Sequence, residues 1–205
     1  MAKLKQDPPL KITDFTIVID SNESAPFHFT GIPVDSDKHN RNWIVPTVTK
    51  PLWSMGKREV ETPTGIQTHG LADYSIDGME ERVQVERKSR SDFAATLGQR
   101  REAFHAEIAR LNHCEFAAVV CECDWEDLLV NPIPNSQMSP KVFSRTVISW
   151  SIRYPNVHWF FCMNRRHAEV MTFQILRRFW DLSQGTEAHG RGRNNPDDPG
   201  AAQRC

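Results

Sequence analysis

Residues 83–92 read Val83-Gln84-Val85-Glu86-Arg87-Lys88-Ser89-Arg90-Ser91-Asp92. The run alternates, so on a strand Val83, Val85 and Arg87 face one way while Gln84, Glu86 and Lys88 face the other. Glu86 and Lys88 are then same-face neighbours roughly 6–7 Å apart. Upstream, Asp73 stands in a second strand-like run, Ala72-Asp73-Tyr74-Ser75-Ile76, and Asp77-Gly78 between the runs is a turn signal. A hairpin centred between Met79 and Glu80 sets Asp73 opposite Glu86, with Cβ atoms about 5 Å apart. A slip of one residue would send the side chains to opposite faces, so the convergence depends on that register.

Two carboxylates and one ammonium at a single point have a chemical use. The acids suit Mg²⁺ or Mn²⁺, hard cations that take oxygen ligands and keep several waters. Such a metal polarises a phosphoryl oxygen and lowers the pKa of a bound water, and Lys88 can hold the nucleophile or offset charge at phosphorus. An isolated acid followed by acid-x-lysine also suits a solvated hairpin with an exposed ion pair, worth about 1 kcal/mol or less. The longer pattern bears on that choice.

Glu86-Arg87-Lys88-Ser89-Arg90-Ser91-Asp92 resembles the E-R-K-x-x-x-D signature of the XPF-type (ERCC4-domain) structure-specific endonucleases, a branch of the PD-(D/E)xK nuclease superfamily. Phe15-Thr16-Ile17-Val18-Ile19-Asp20-Ser21-Asn22-Glu23 resembles that family's first strand and its D-x-R-E end, and Ala72-Asp73-Tyr74 resembles its G-D-Y element. Arg100, Phe104, Glu107, Arg110 and Leu111 resemble the helix that follows the signature strand. The match runs over about residues 14–182. The resemblance implies a restriction-endonuclease-like α/β core, a mixed central sheet flanked by helices. It also implies catalytic Asp73, Glu86 and Lys88, with Asp20 and Glu23 extending the acidic site and Asp73 and Glu86 as metal ligands. Two positions depart from the pattern: Asn22 replaces the arginine, and Ala72 the glycine.

The rest of the chain reads as strand–helix alternation, which favours a sheet with parallel neighbours and helices on its faces. Phe93, Leu97, Phe104, Ile108 and Leu111 recur at helical spacing and predict one helix, opened by a capping box in which Ser89 caps and Asp92 stands three residues on. Asp92 is read mainly as part of that cap. Phe116–Cys123 is strand-like, with Cys121 and Cys123 on one face. Residues 141–154 form a helix with Phe143, Val147, Trp150 and Tyr154 inward, and Val157–Cys162 a strand. A final helix capped by Asn164 carries Ala168, Met171, Ile175, Phe179 and Leu182. Residues 26–70, with five prolines, Trp43 and Trp53, show no sustained helical period. They read as an irregular segment whose tryptophans either anchor it to the core or stack on an unpaired base.

Composition sets bounds. At 205 residues one domain is expected. A tail over 1–11, a nuclease domain over 12–183 and a disordered, polar tail over 184–205 divide the chain. The opening residues lack the apolar core of a signal peptide, and the longest apolar run, Phe116–Cys121, is too short to span a membrane, so a cytoplasmic setting in a bacterial or phage-infected cell is expected. Five cysteines in such a chain argue for free thiols. A net charge of −1 gives no global grip on nucleic acid, so DNA affinity falls to local arginines: Arg87, Arg90, Arg100, Arg101 and, in the tail, Arg191 and Arg193. A solvated surface explains these arginines equally well. No helix-hairpin-helix module follows the last helix, so a stand-alone nuclease domain is expected, its specificity coming from the domain, a homodimer or a partner protein. The expected activity is Mg²⁺- or Mn²⁺-dependent hydrolysis of phosphodiester bonds in branched, flap or junction DNA, serving repair, recombination or phage DNA metabolism. The alternative is a nuclease-like module that binds DNA or protein without cutting.

Overall fold

The computed structural model describes residues 9–52, 60–62, 65–67, 72–131 and 139–185. In chain order its elements are β1 (Lys11–Ile12), β2 (Ile17–Asp20), β3 (Trp43–Ile44), β4 (Thr47–Lys50), β5 (Val60–Thr62), β6 (Gly65–Gln67), β7 (Tyr74–Ile76), β8 (Val83–Lys88), α1 (Arg90–Leu97), α2 (Arg101–Leu111), β9 (Phe116–Cys121), α3 (Trp125–Val130), α4 (Pro140–Arg153), β10 (Val157–Phe161) and α5 (Arg165–Ser183). A six-stranded mixed sheet in the order β10-β9-β8-β7-β2-β4 forms the centre, with helices on both faces. Strands β8, β9 and β10 run parallel, β7 is antiparallel to both its neighbours, and β4 lies parallel to β2 on the far edge.

The β7–β8 hairpin has the register its turn dictates. Tyr74 pairs with Val85 and Ser75 with Gln84, and the turn is closed by Gly78 at φ 81°. Asp73 lies one residue beyond this ladder, its amide donating to the Val85 carbonyl at 3.2 Å.

Alternation along the strands divides the interior into two cores. Ile17, Ile19, Tyr74, Ile76, Val83, Val85, Ala118 and Val120 pack with Phe27, Phe29, Phe173 and Leu176 on the α5 side. Ala117, Val119 and Cys121 pack with Phe93, Leu97, Phe104, Ile108, Phe143 and Trp150 on the side of α1, α2 and α4. Both faces of β8 and β9 are therefore covered, which is why Val83–Glu86 and Ala117–Cys121 are buried without exception.

Three expectations need correction, and one element was not expected. The single helix after the signature strand is two, because the chain turns at Gly98, whose amide closes α1 on Ala94, before restarting at Arg101. The expected apolar residues are buried nonetheless. The irregular segment supplies a sheet strand, β4, whose Thr47-Val48-Thr49-Lys50 is too exposed to show an apolar pattern. A short helix, α3, opens at Asp124, which caps the Asp127 amide. On α5 the buried stripe is Ala168, Glu169, Thr172, Phe173, Ile175 and Leu176, and Leu182 is exposed.

Other local expectations hold. Ser89 Oγ accepts from the Asp92 amide at 3.1 Å and donates to the Asp92 carboxylate at 2.6 Å, so the cap exists and is reciprocal. Asn164 caps α5 through the His167 amide. Trp43 anchors its segment, 6.4 Å from the Phe173 ring and with the Arg177 guanidinium 3.9 Å above it. Trp53, Arg191 and Arg193 lie outside the described residues, as do most of the tails expected over 1–11 and 184–205. Cys114, Cys121, Cys123 and Cys162 are free and buried, and burial pushes all four thiols up, Cys114 and Cys162 to about 11 and Cys123 to about 12. No described helix is long and apolar enough to cross a membrane.

Candidate active site

The carboxyl ends of β2, β8 and β9 and the start of β7 meet at one edge of the sheet, the edge at which open α/β sheets form clefts. Asp73 enters here because β7 begins where β2 ends: the Asp20 amide donates to the Asp73 carbonyl at 2.8 Å. The Asp73 carboxylate crosses to β8 and accepts the Arg87 amide at 2.7 Å. Glu86 and Lys88 sit on the same face of β8, turned toward α2, since Glu86 pairs with Val119 and Lys88 with Cys121 in the core beneath that helix.

Lys88 Nζ donates to Glu86 Oε1 and lies 4.8 Å above the Phe104 ring. Its second acidic neighbour is Glu107 of α2, at 3.9 Å. The Glu86 charge also acts on Glu107. Two acids thus flank one ammonium, and the Asp73 charge adds to their effect. Burial, with the Glu86 and Glu23 charges added, holds the Asp73 carboxyl well above the usual carboxylate range. Burial and Glu86 do the same to Glu107. For Lys88 burial opposes the charge, but the Glu86 and Glu107 carboxylates outweigh it and the ammonium is held charged.

Glu107 belongs to this cluster and was absent from the sequence-derived site. The signal was present: it follows Phe104 by three residues and precedes Ile108, so it shares the sheet-facing side of α2 with two buried residues. An acid on that side needs a partner.

The other expected acids are placed differently. Asp20 is buried, and its two carboxylate oxygens accept the amides of Leu52 at 2.9 Å and Asn22 at 3.2 Å. It ties the end of β2 to the segment after β4. Glu23 accepts from the Ala25 amide at 2.7 Å and faces Arg87 at 3.4 Å. Arg87 points to the α5 face, where it pairs with Glu122 at 2.6 Å and lies over Phe27 at 5.5 Å. Arg165 joins the same pair of partners, 2.8 Å from Glu122 and 4.9 Å over Phe27.

The remaining arginines of the expected phosphate track each hold a protein partner. Arg90 is 2.5 Å from Asp127 and donates to the Asn131 carbonyl, and Arg100 is 3.8 Å from Asp92. Arg101 donates to Thr146 at 2.8 Å and stacks over Trp150 at 5.2 Å, tying α2 to α4.

Among the described residues, no group of three or more His, Cys, Asp or Glu side chains is arranged to hold a metal ion. The donor chemistry nonetheless fits a hard cation. Asp73 and Glu86 are oxygen donors; burial first, and the Glu86 charge after it, raises the Asp73 and Glu107 carboxyls, and a divalent charge would offset the concentration of acids. Mg²⁺ needs only one or two carboxylates, the rest of its shell being water and substrate.

No family model matches the chain, and no curated protein matches it. Among solved structures the fold is similar to XPF from Aeropyrum pernix, with a TM-score of 0.48 and 16% identity, covering 82% of this chain and 65% of that one. It is similar also to XPF from Aeropyrum pernix in complex with DNA, with a TM-score of 0.49, 16% identity, and coverage of 82% and 66%. The chain spans about two-thirds of the length of those structures.

Proposed function

We propose that the chain is a divalent-metal-dependent DNA endonuclease that hydrolyses phosphodiester bonds, with Asp73 and Glu86 holding Mg²⁺ or Mn²⁺ and Lys88 serving as the catalytic cation. The observation that carries this reading is the meeting of Asp73, Glu86 and Lys88 at the carboxyl end of β8, in the register that the E-R-K signature requires. The bound metal would polarise the phosphodiester and lower the pKa of a water molecule. The residues supply the rest. The Asp73 carboxylate is aimed by the Arg87 amide, so its orientation does not depend on the metal. Lys88, charged and seated on Phe104, offsets the negative charge that develops at phosphorus. Arg87, Glu122, Glu23 and Arg165 form a scaffold around Phe27 that fixes the neighbouring loop. The substrate is branched, flap or junction DNA, an assignment drawn from the sequence signature, and a homodimer or partner protein would add specificity.

The second reading, a fold that binds DNA without cutting it, draws on two observations: Lys88 already engages Glu86, and Asn22 stands where the signature has arginine.

Incubation of the purified protein with labelled flap, splayed-arm and linear duplex DNA separates the readings. Cleavage with Mg²⁺ or Mn²⁺, abolished by EDTA and reduced about 10²-fold or more in Asp73→Asn and Glu86→Gln, is expected. Binding in gel shifts with no cleavage under any metal would leave the second reading standing.

A further inference from the structure

Lys88 has two acidic seats within reach. Its ammonium is bonded to Glu86, the carboxylate proposed as a metal ligand, while Glu107 Oε1 is 3.9 Å away. A cation cannot settle on Glu86 while the ammonium holds it, because like charges at that distance repel strongly. A side-chain movement of about 1 Å would complete a bond to Glu107, since charge-assisted N–H···O bonds span about 2.8 Å. The Phe104 ring, one turn earlier on the same helix face, lies under the ammonium and would stay under it through such a movement.

The second seat is also rigid. Helix α2 is fastened to α4 and the turn after it by Arg101 donating to Thr146, by Phe104 against Trp150 at 5.8 Å, and by His105 Nε2 to Tyr154 Oη at 2.8 Å. Glu107 is therefore held beside β8 on an element that carries neither proposed metal ligand.

We propose that Glu107 is a positioning residue that receives the Lys88 ammonium when a divalent cation takes Glu86, so that one carboxylate is exchanged for the other and the metal site opens. The proposal rests on the metal-dependent reading above. It gives Glu107 a role distinct from that of a ligand: without it, cation and ammonium compete for one carboxylate.

The test is Mn²⁺ binding by the full chain, free Mn²⁺ being counted by electron paramagnetic resonance, with no substrate and no turnover. Circular dichroism verifies that each variant is folded. Glu107→Gln is expected to weaken Mn²⁺ binding about tenfold or more, the size of effect typical of residues that position ligands. Glu107→Asp, which keeps the charge, should recover most of that loss. Lys88→Met should bind at least as tightly as the wild type. In Lys88→Met/Glu107→Gln the penalty should shrink to about threefold or less, because no ammonium remains to be displaced. An unchanged affinity in Glu107→Gln overturns the proposal. So does an equal loss with lysine or methionine at position 88, which would make Glu107 a direct ligand. If the wild type itself binds no Mn²⁺, the metal-dependent reading falls and the exchange with it, an outcome plainly different from the other two.

Discussion

Tyr74 shows how one side chain sets the geometry of its neighbour. It follows Asp73, is fully buried, stacks on Phe27 at 5.2 Å, and its hydroxyl oxygen accepts the Phe27 amide at 2.9 Å. Burial pushes its phenol well above the ordinary range, so the ring stays neutral. The loop of Phe27 and Phe29 is thereby locked to the hairpin that carries Asp73. Tyr74→Phe removes the oxygen and leaves a buried amide without an acceptor, at a cost of about 1–3 kcal/mol. Urea unfolding should report that loss with an unchanged m-value, while Mn²⁺ affinity stays within about threefold of wild type. A large loss of Mn²⁺ affinity with full stability would mean that the hydroxyl serves the site and not the loop. Asp20 makes the companion point: each of its carboxylate oxygens accepts a backbone amide, so an acid at the end of a strand can fasten a loop.

At the scale of elements the hairpin is decisive, and its turn is where register is fixed. Gly78 has φ 81°, in the region where a side chain is strained, although an added Cβ would meet nothing within 4 Å. Gly78→Ala should therefore cost only backbone strain, about 1–2 kcal/mol, and Gly78→Asn less, because asparagine tolerates that conformation. Equal stability of all three proteins in urea would show that the turn does not constrain the register. This hairpin was the most legible part of the sequence, since period-2 alternation and a turn dipeptide leave few registers that keep Val83 and Val85 inside. Helix α2 was half legible. Its apolar stripe was plain, but Gly98 split the expected helix, and Glu107, although spaced to lie beside Phe104 and Ile108, was not carried into the expected site. Strand β4 was not legible, because an edge strand with exposed Thr47, Val48 and Thr49 carries no burial pattern. The charged partners of Arg87 lay beyond reach for another reason: Glu23 and Glu122 are brought together by the sheet order, which alternation along one strand does not specify.

Across the whole molecule, the site gathers carboxyl groups in a buried cluster, and this links stability to pH and to metal. The Asp73 and Glu107 carboxyls have folded pKa values raised above their unfolded ones, near 4. A group of that kind contributes stability that is fully present below the unfolded pKa and is lost as pH rises through the folded value. Glu80 and Glu115 act in the opposite sense. Hydrogen bonds from Lys50 and Arg82 lower their pKa values, burial working against the shift, so they cost stability only as pH falls through those depressed values. The two effects occupy different windows. Above about pH 5 the surface carboxylates are already ionised, and the site acids dominate the slope. Metal-free protein should therefore lose melting temperature as pH rises above about 5, until the raised carboxyls have ionised. A divalent cation supplies the charge that the departing protons leave unbalanced, so stabilisation by saturating Mn²⁺ should grow over the same interval. Differential scanning fluorimetry at pH 5, 6.5 and 8, with EDTA and with Mn²⁺, measures both slopes. Glu107→Gln removes one of the two raised carboxyls and should flatten the metal-free slope. A metal-free melting temperature that climbs toward pH 8, or a Mn²⁺ effect of the same size at all three pH values, would sink the link between the acid cluster and the cation.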